Sequence, residues 1–106
     1  MGWTIVYRAR TTEDDIDAFI EDANCTAPRL SFGSEPYRWE KHSERWAIGF
    51  TKLQFSWRKR RDFVRIVESL KALAERWGHV RVDAGDDHVL GDWWHVKNIR
   101  LDRLEL

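Results

Sequence analysis

Residues 63–83 read FVRIVESLKALAERWGHVRVD, and this stretch carries the clearest secondary-structure signal in the chain. Its apolar residues recur at intervals of three and four over about four turns, which predicts an amphipathic helix with one buried face. These residues are Phe63, Ile66, Val67, Leu70, Leu73, Ala74 and Trp77. Gly78 favours the left-handed cap that ends a helix. Residues 79–83 then alternate between apolar and polar side chains, which predicts a strand directly after the helix.

The segments before this unit add three more strands and a second helix. Residues 2–10 alternate and are rich in β-branched and aromatic side chains, as is typical of a strand. Thr11 and Thr12 precede carboxylates by three positions and predict the start of a helix. The apolar stripe of this helix is Ile16, Phe19, Ile20 and Ala23. Residues 37–40 and 45–51, with a polar loop between them, predict a hairpin.

The order strand, helix, hairpin, helix, strand predicts an α+β fold. We expect a ferredoxin-like βαββαβ sheet with both helices on one face. Residues 89–106 follow this unit, and their leucines and isoleucine predict an extra C-terminal strand or a short helix.

The second arm of the hairpin has one face of large and one face of small residues. We expect Trp46, Ile48 and Phe50 to face the helices, because they are the larger and more apolar set. The open face of the sheet would then present Ala47, Gly49, Thr51, Arg81 and Asp83. The full predicted core is Ile5, Phe19, Ile20, Trp46, Ile48, Phe50, Phe63, Ile66, Val67, Leu70 and Val82.

Length and composition are those of one globular domain. The chain has 106 residues, 42% of them apolar, and we expect residues 1–106 to form a single domain. Cys25 is the only cysteine, which excludes an internal disulfide and a cysteine-based zinc site. No apolar run approaches membrane-spanning length, and the N-terminus lacks the features of a signal peptide. We therefore expect a cytoplasmic protein.

The net charge of zero conceals a strong segregation of charge. Residues 11–28 carry six carboxylates and no basic side chain, whereas residues 29–61 are basic and end in Arg58-Lys59-Arg60-Arg61. Residues 82–106 are acidic again. Such segments either steer a charged partner or neutralise one another within the fold.

A run of acidic residues and histidines between Asp83 and His95 is the candidate metal site. Clustered carboxylates suit hard divalent cations, but the spacing matches no calcium loop. Asp and Gly are also the residues that a turn requires. We therefore expect residues 84–88 to form a solvated turn, and we expect no metal.

The chain contains no recognisable catalytic signature. It has no nucleophile elbow, phosphate-binding loop, dinucleotide fingerprint or zinc-protease motif. Cys25 has no signature around it and is expected to be structural. We therefore predict a protein that is not an enzyme and that needs no cofactor.

The basic run after Trp57 is the candidate nucleic-acid site. Basic groups beside an aromatic ring suit phosphate contact and base stacking. However, sheets that bind RNA stack bases on aromatic side chains of the open face, and the predicted open face has none. The acidic first helix and the zero net charge also disfavour nucleic acid.

The chain has seven tryptophans, more than its predicted core can bury. Trp3, Trp46 and Trp77 lie on predicted core stripes. Trp39, Trp57, Trp93 and Trp94 are surplus, and aromatic side chains flanked by charge are typical of protein interfaces. The predicted partner-binding residues are Trp39, Trp57, Arg58, Arg60, Arg61, Asp86, Asp87, Trp93 and Trp94.

In size, charge segregation and aromatic content the chain resembles small bacterial proteins that bind and neutralise one partner, such as the immunity proteins of toxin systems. This resemblance implies a protein-binding module that inhibits a toxin-like protein. The alternative is a nucleic-acid-binding or regulatory domain that uses residues 57–61. No membrane association is expected.

Overall fold

The computed structural model describes residues 3–31, 33–53 and 59–104. This part of the chain forms five strands and two α-helices, and two short 3-10 helices follow the last strand. The elements are β1 (Trp3–Arg10), α1 (Ile16–Cys25), β2 (Trp39–Lys41), β3 (Trp46–Leu53), α2 (Lys59–Arg76), β4 (Arg81–Asp86), β5 (Trp94–His95) and the 3-10 helices Val96–Asn98 and Leu101–Arg103.

The strands form one antiparallel sheet in the order β2-β3-β1-β4-β5. The prediction of an α+β fold is therefore confirmed. The tail contributes both a short edge strand, β5, and helical turns, so the sheet differs from a simple four-stranded βαββαβ sheet. The ferredoxin-like assignment itself stays a prediction.

Both helices cover the same face of this sheet. The ring of Phe63 on α2 stacks on Trp3 of β1 at 4.8 Å, and Phe19 on α1 meets the ring of Trp39 on β2 edge-on at 5.3 Å. Trp3 and Trp39 are both fully buried beneath the helices. We call this side of the sheet the covered face and the opposite side the open face.

Strand β4 is longer than predicted. It continues through Ala84 and Gly85 to Asp86, because these residues pair with β1 from Tyr7 to Ile5. The prediction of a solvated turn at residues 84–88 is therefore wrong for its first three residues, which are buried.

The two faces of β3 are the reverse of the prediction. Ala47, Thr51 and Leu53 are buried on the covered face. Ile48 and Phe50 lie on the open face with 37% and 62% of their surface exposed, and Trp46 is half-buried there. These three residues are therefore not part of the core beneath the helices.

Tyr7 and Trp39 explain this reversal. Tyr7 on β1 and Trp39 on β2 are the two strand partners of Gly49, and both are buried. A Cβ atom at Gly49 would collide with the Tyr7 ring and with the carbonyl oxygen of Arg38. Because the rings of neighbouring strands already fill the space over the centre of β3, the core accepts only the small residues of that strand.

The outer edge of β2 is closed by a side chain of α1. The Asn24 amide accepts a hydrogen bond from the Trp39 N–H at 2.7 Å and donates one to the Trp39 carbonyl at 3.1 Å. Asn24 thus mimics a neighbouring strand at this position, which protects an edge that would otherwise pair with another chain.

Candidate functional site

The open face carries a group of apolar side chains that neither helix covers. Val6 on β1 is the strand partner of Phe50, and Ile48 lies two residues before Phe50 on β3. Trp93, just before β5, reaches the same face and is 42% exposed. Exposed apolar patches of this kind mark interaction sites on soluble domains. We call Val6, Ile48, Phe50 and Trp93 the apolar patch.

An arginine cluster borders this patch. The Arg8 guanidinium lies 4.1 Å from the centre of the Trp93 ring and 5.6 Å from that of Trp46, so it makes cation–π contacts with both. Asp83 on β4 accepts from Arg8 at 3.4 Å and from Arg81 at 2.9 Å. The Asp83 side chain is only 10% exposed, and its carboxylate forms ion pairs with both Arg8 and Arg81 on the open face.

Arg10 completes the cluster at the far end of β1. It is the direct strand partner of Arg81 on β4 and of Trp46 on β3. Its guanidinium lies 6.0 Å from the Trp46 ring. No ion pair within the described residues involves Arg10, although Arg8 and Arg81 share Asp83. We call Arg8, Arg10, Arg81 and Asp83 the arginine cluster.

Two hollows flank the apolar patch. One, of about 410 Å³, lies between β3 and the segment before β2 and is lined by Pro36, Arg38, Ile48 and Phe50 among others. The other, of about 250 Å³, lies against Trp93 and places the Asp87 and Asp92 carboxylates at the end of the sheet opposite Arg10. Both hollows are wide open, and such shapes suit the side chains of a partner better than an enclosed small ligand.

Two of the predicted partner-binding residues are structural. Trp39 is 1% exposed and donates its indole N–H to the Tyr37 hydroxyl at 2.7 Å, so it is a core residue. Burial raises the pKa of Tyr37 well above its usual range, and the Tyr37 hydroxyl therefore remains protonated. Asp86 is also buried, and one of its oxygens accepts the Trp3 indole N–H at 2.8 Å.

The second oxygen of Asp86 organises the loop after β4. It accepts backbone N–H groups from His88, Val89, Leu90 and Gly91, the shortest of them 2.6 Å from Leu90. Both oxygens of Asp86 already accept protein donors, and the residue is only 9% exposed, so little of the carboxylate is accessible to a partner. Asp86 therefore shapes the loop that presents Trp93 rather than contacting a partner itself.

The remaining predicted residues are divided between the two sides of the molecule. Trp93 is on the open face, whereas Trp94 is the strand partner of Ala84 on the covered side and donates its indole N–H to the Leu90 carbonyl at 2.7 Å. Asp87 is exposed and accepts the Thr4 N–H at 3.2 Å. Trp94 is 45% exposed at the edge of the sheet.

The basic run is only partly described. Arg60 and Arg61 are exposed in the first turn of α2, the helix that packs on the covered face. Trp57 and Arg58 lie outside the described residues. Arg60 and Arg61, the described arginines of this run, therefore lie on the helix side of the sheet, opposite Trp93.

Sequence reasoning placed Arg81 on the open face but did not assign it to a site. It missed four further residues of that face: Arg8, Arg10, Ile48 and Phe50. Periodicity placed Ile48 and Phe50 on the same face, and their size and apolar character led to the wrong assignment of that face to the core. The available signal was the volume of the β1 side chains, because a strand that buries Trp3, Ile5 and Tyr7 leaves little room for large residues on its neighbour.

The candidate metal residues have other partners. In the described ranges, no three His, Cys, Asp or Glu side chains come together as a metal site. Asp83 and Asp86 are engaged as above, and the Nδ1 atom of His95 accepts the Lys97 N–H at 3.2 Å. Among the described helices, none combines the length and the apolar character needed to cross a membrane.

Comparisons of this chain with protein families, curated proteins and solved structures gave no match.

Proposed function

We propose that this chain is a cytoplasmic, non-enzymatic protein-binding module that docks its open sheet face onto one partner protein. An inhibitor or immunity protein that covers the working surface of a toxin-like partner would act in this way. The observation that supports the proposal is the exposure of Ile48, Phe50 and Trp93 together on a sheet face that the helices leave bare.

The composition of this face resembles the centre and rim of a protein interface. Val6, Ile48 and Phe50 supply an apolar centre, and the arginine cluster supplies a charged rim. Aromatic and arginine side chains are enriched among the residues that dominate binding energy, and rim charges set orientation and association rate. Val6, Ile48, Phe50 and the arginines project from paired strands, and such preorganised positions lower the entropy lost on binding.

The assignment of the fold is part of the same proposal. We propose a ferredoxin-like layer, extended by β5, in which the helices support the sheet from one side and leave the other free for binding.

A single-stranded nucleic acid is the second candidate occupant of this face. The open face does present aromatic side chains, contrary to the sequence prediction, and Trp46, Phe50 and the nearby arginines could stack bases and contact phosphates. The arrangement favours protein, because Arg8 already covers one face of Trp93 and contacts Trp46. Val6 and Ile48, which occupy the centre of the patch, cannot stack on a base.

The test is affinity capture from the cells that make the protein, followed by a binding assay with the captured partner. The test variant is Phe50→Ala, and the matched control is Trp94→Ala, which removes an exposed aromatic from the other side. We expect Phe50→Ala to weaken binding by about 2 kcal/mol or more, whereas Trp94→Ala binds like the parent.

Equal binding by the parent and by Phe50→Ala, with both proteins folded, would exclude the open face as the interface. Capture that disappears on nuclease treatment and falls steeply with salt would instead establish the nucleic-acid function. If the captured partner has a measurable activity, the inhibitor role requires that the purified chain lower that activity.

A further inference from the structure

We propose that the open face recognises an acidic protein segment, whose carboxylates bind at Arg10 and Arg81 while an apolar side chain occupies the patch around Phe50. This inference rests on the proposed function and specifies the chemistry of its partner.

Two like charges are paired across the sheet at this end of the open face. Arg10 and Arg81 are direct partners across β1 and β4, and like charges in this position destabilise a sheet. Arg10 has no ion pair within the described residues. A carboxylate brought by a partner would offset this repulsion, so the pair favours an anionic ligand.

Positive charge exceeds negative charge in the arginine cluster. The cluster has three guanidinium groups and one carboxylate, Asp83, which pairs with Arg8 and Arg81 and whose side chain is only 10% exposed. The Arg81 side chain, by contrast, is 66% exposed. Its guanidinium uses Nε towards Asp83, which leaves further N–H donors for a second carboxylate.

A recess lies beside Arg10 at this end of the sheet. A hollow of about 340 Å³ is lined by Arg10, Ser43, Glu44, Arg45 and Trp46. Arg45 is paired with Glu13 at 3.8 Å. Glu44 also lines the hollow, but no ion pair in the described part of the chain joins it to Arg10. The recess can therefore hold a side chain against the Trp46 ring with Arg10 beside it.

The spacing of the site defines the ligand further. Trp46 and Phe50 are four residues apart on β3, which corresponds to about 13 Å along an extended strand. A partner segment that lies along the sheet would reach both ends if its carboxylate and its apolar anchor were about four residues apart. We therefore infer an extended segment with Asp or Glu at one end and Leu, Phe or Trp at the other.

The experiment is a selection of random peptides displayed on phage. The peptides have about twelve residues, long enough in extended form to cover the face. The immobilised proteins are the parent, the double variant Arg10→Glu with Arg81→Glu, and the control Arg60→Glu with Arg61→Glu. The control makes the same change in net charge on α2, within the basic run of residues 58–61.

We expect the parent and the control to enrich peptides that combine a carboxylate with an apolar residue about four positions away. The Arg10/Arg81 variant should lose these peptides. One enriched peptide, synthesised and titrated, should bind the Arg10/Arg81 variant about tenfold more weakly or worse, while the control stays within about twofold of the parent. Circular dichroism and thermal melting of each variant establish that it is folded.

Several outcomes would overturn the inference. These are no enrichment, enrichment without carboxylates, equal loss in the Arg60/Arg61 control, or preferential binding of a single-stranded oligonucleotide in a parallel titration. Light scattering that shows a dimer of the parent, abolished by the Arg10/Arg81 substitutions, would assign the face to a second copy instead. If a captured partner depends on Phe50 but not on Arg10 and Arg81, the proposed function stands and this inference alone fails.

Discussion

The reversal of β3 predicts that two phenylalanines of this chain differ sharply in their contribution to stability. Phe63 on α2 is fully buried against Trp3, and replacing such a residue by alanine costs about 3–5 kcal/mol. Phe50 is 62% exposed, so roughly two-fifths of its surface is removed from water, and no enclosed cavity forms when it is truncated. We therefore expect Phe50→Ala to lower the free energy of unfolding by about 1 kcal/mol.

Urea denaturation followed by circular dichroism measures both values. With an m-value of about 1.5 kcal/mol/M, Phe50→Ala should lower the midpoint by less than about 1 M, and Phe63→Ala by about 2–3 M. If Phe63→Ala does not fold, Phe63→Leu provides a milder comparison at the same site. Equal losses at the two positions would refute the reasoning, because that result would place Phe50 in the core, as its sequence pattern predicts.

Three further predictions concern the residues that shape the two faces. Gly49→Ala should lower the melting temperature strongly, since its new methyl group would collide with the Tyr7 ring; an unchanged melting temperature would contradict the assigned register. Asp86→Asn should destabilise by about 3 kcal/mol in urea denaturation, because either orientation of its amide turns a donor towards buried donors; a nearly neutral result would contradict the five hydrogen bonds. A hydrogen bond from the Trp77 indole is the largest cause of the lowered pKa of Asp22. The stability that the Asp22 carboxylate contributes is therefore complete above about pH 4 and is lost as the pH falls through the pKa of Asp22 in the folded protein. Asp22→Asn should therefore be less stable than the parent by about 1 kcal/mol at about pH 7, and the gap should shrink towards about pH 2.

The agreement between sequence and structure is best for the helices. The apolar stripe from Phe63 to Ala74 is buried as predicted, although α2 begins at Lys59, four residues earlier. The α1 stripe is buried at Ile16, Phe19 and Ala23. Helical periodicity can be read locally, because the same turn-to-turn spacing that forms the backbone hydrogen bonds also aligns the side chains on one face.

The candidate site could not be predicted in the same way. From the sequence, Trp39 is a surplus tryptophan. In the structure it is a core residue, because Asn24 binds its backbone and Tyr37 accepts from its indole. From the sequence, Asp86 is a turn residue. In the structure it is a buried acceptor, because Trp3 and the loop that follows donate hydrogen bonds to it. In each case one deciding partner is distant in the sequence and is brought close only by the fold: Asn24 for Trp39, and Trp3 for Asp86.

The sequence by itself therefore determined the kinds and order of the elements from β1 to β4 and the two alternating faces of these strands. Only the tertiary structure decided which face of β3 is buried. A strand of period two has two possible inward faces, and the choice depends on the volume left by its neighbours. Tyr7 and Trp39, which come from separate strands, fill that volume and leave space only for Gly49 and the small residues beside it. Ile48 and Phe50 are exposed beside the arginines as a consequence.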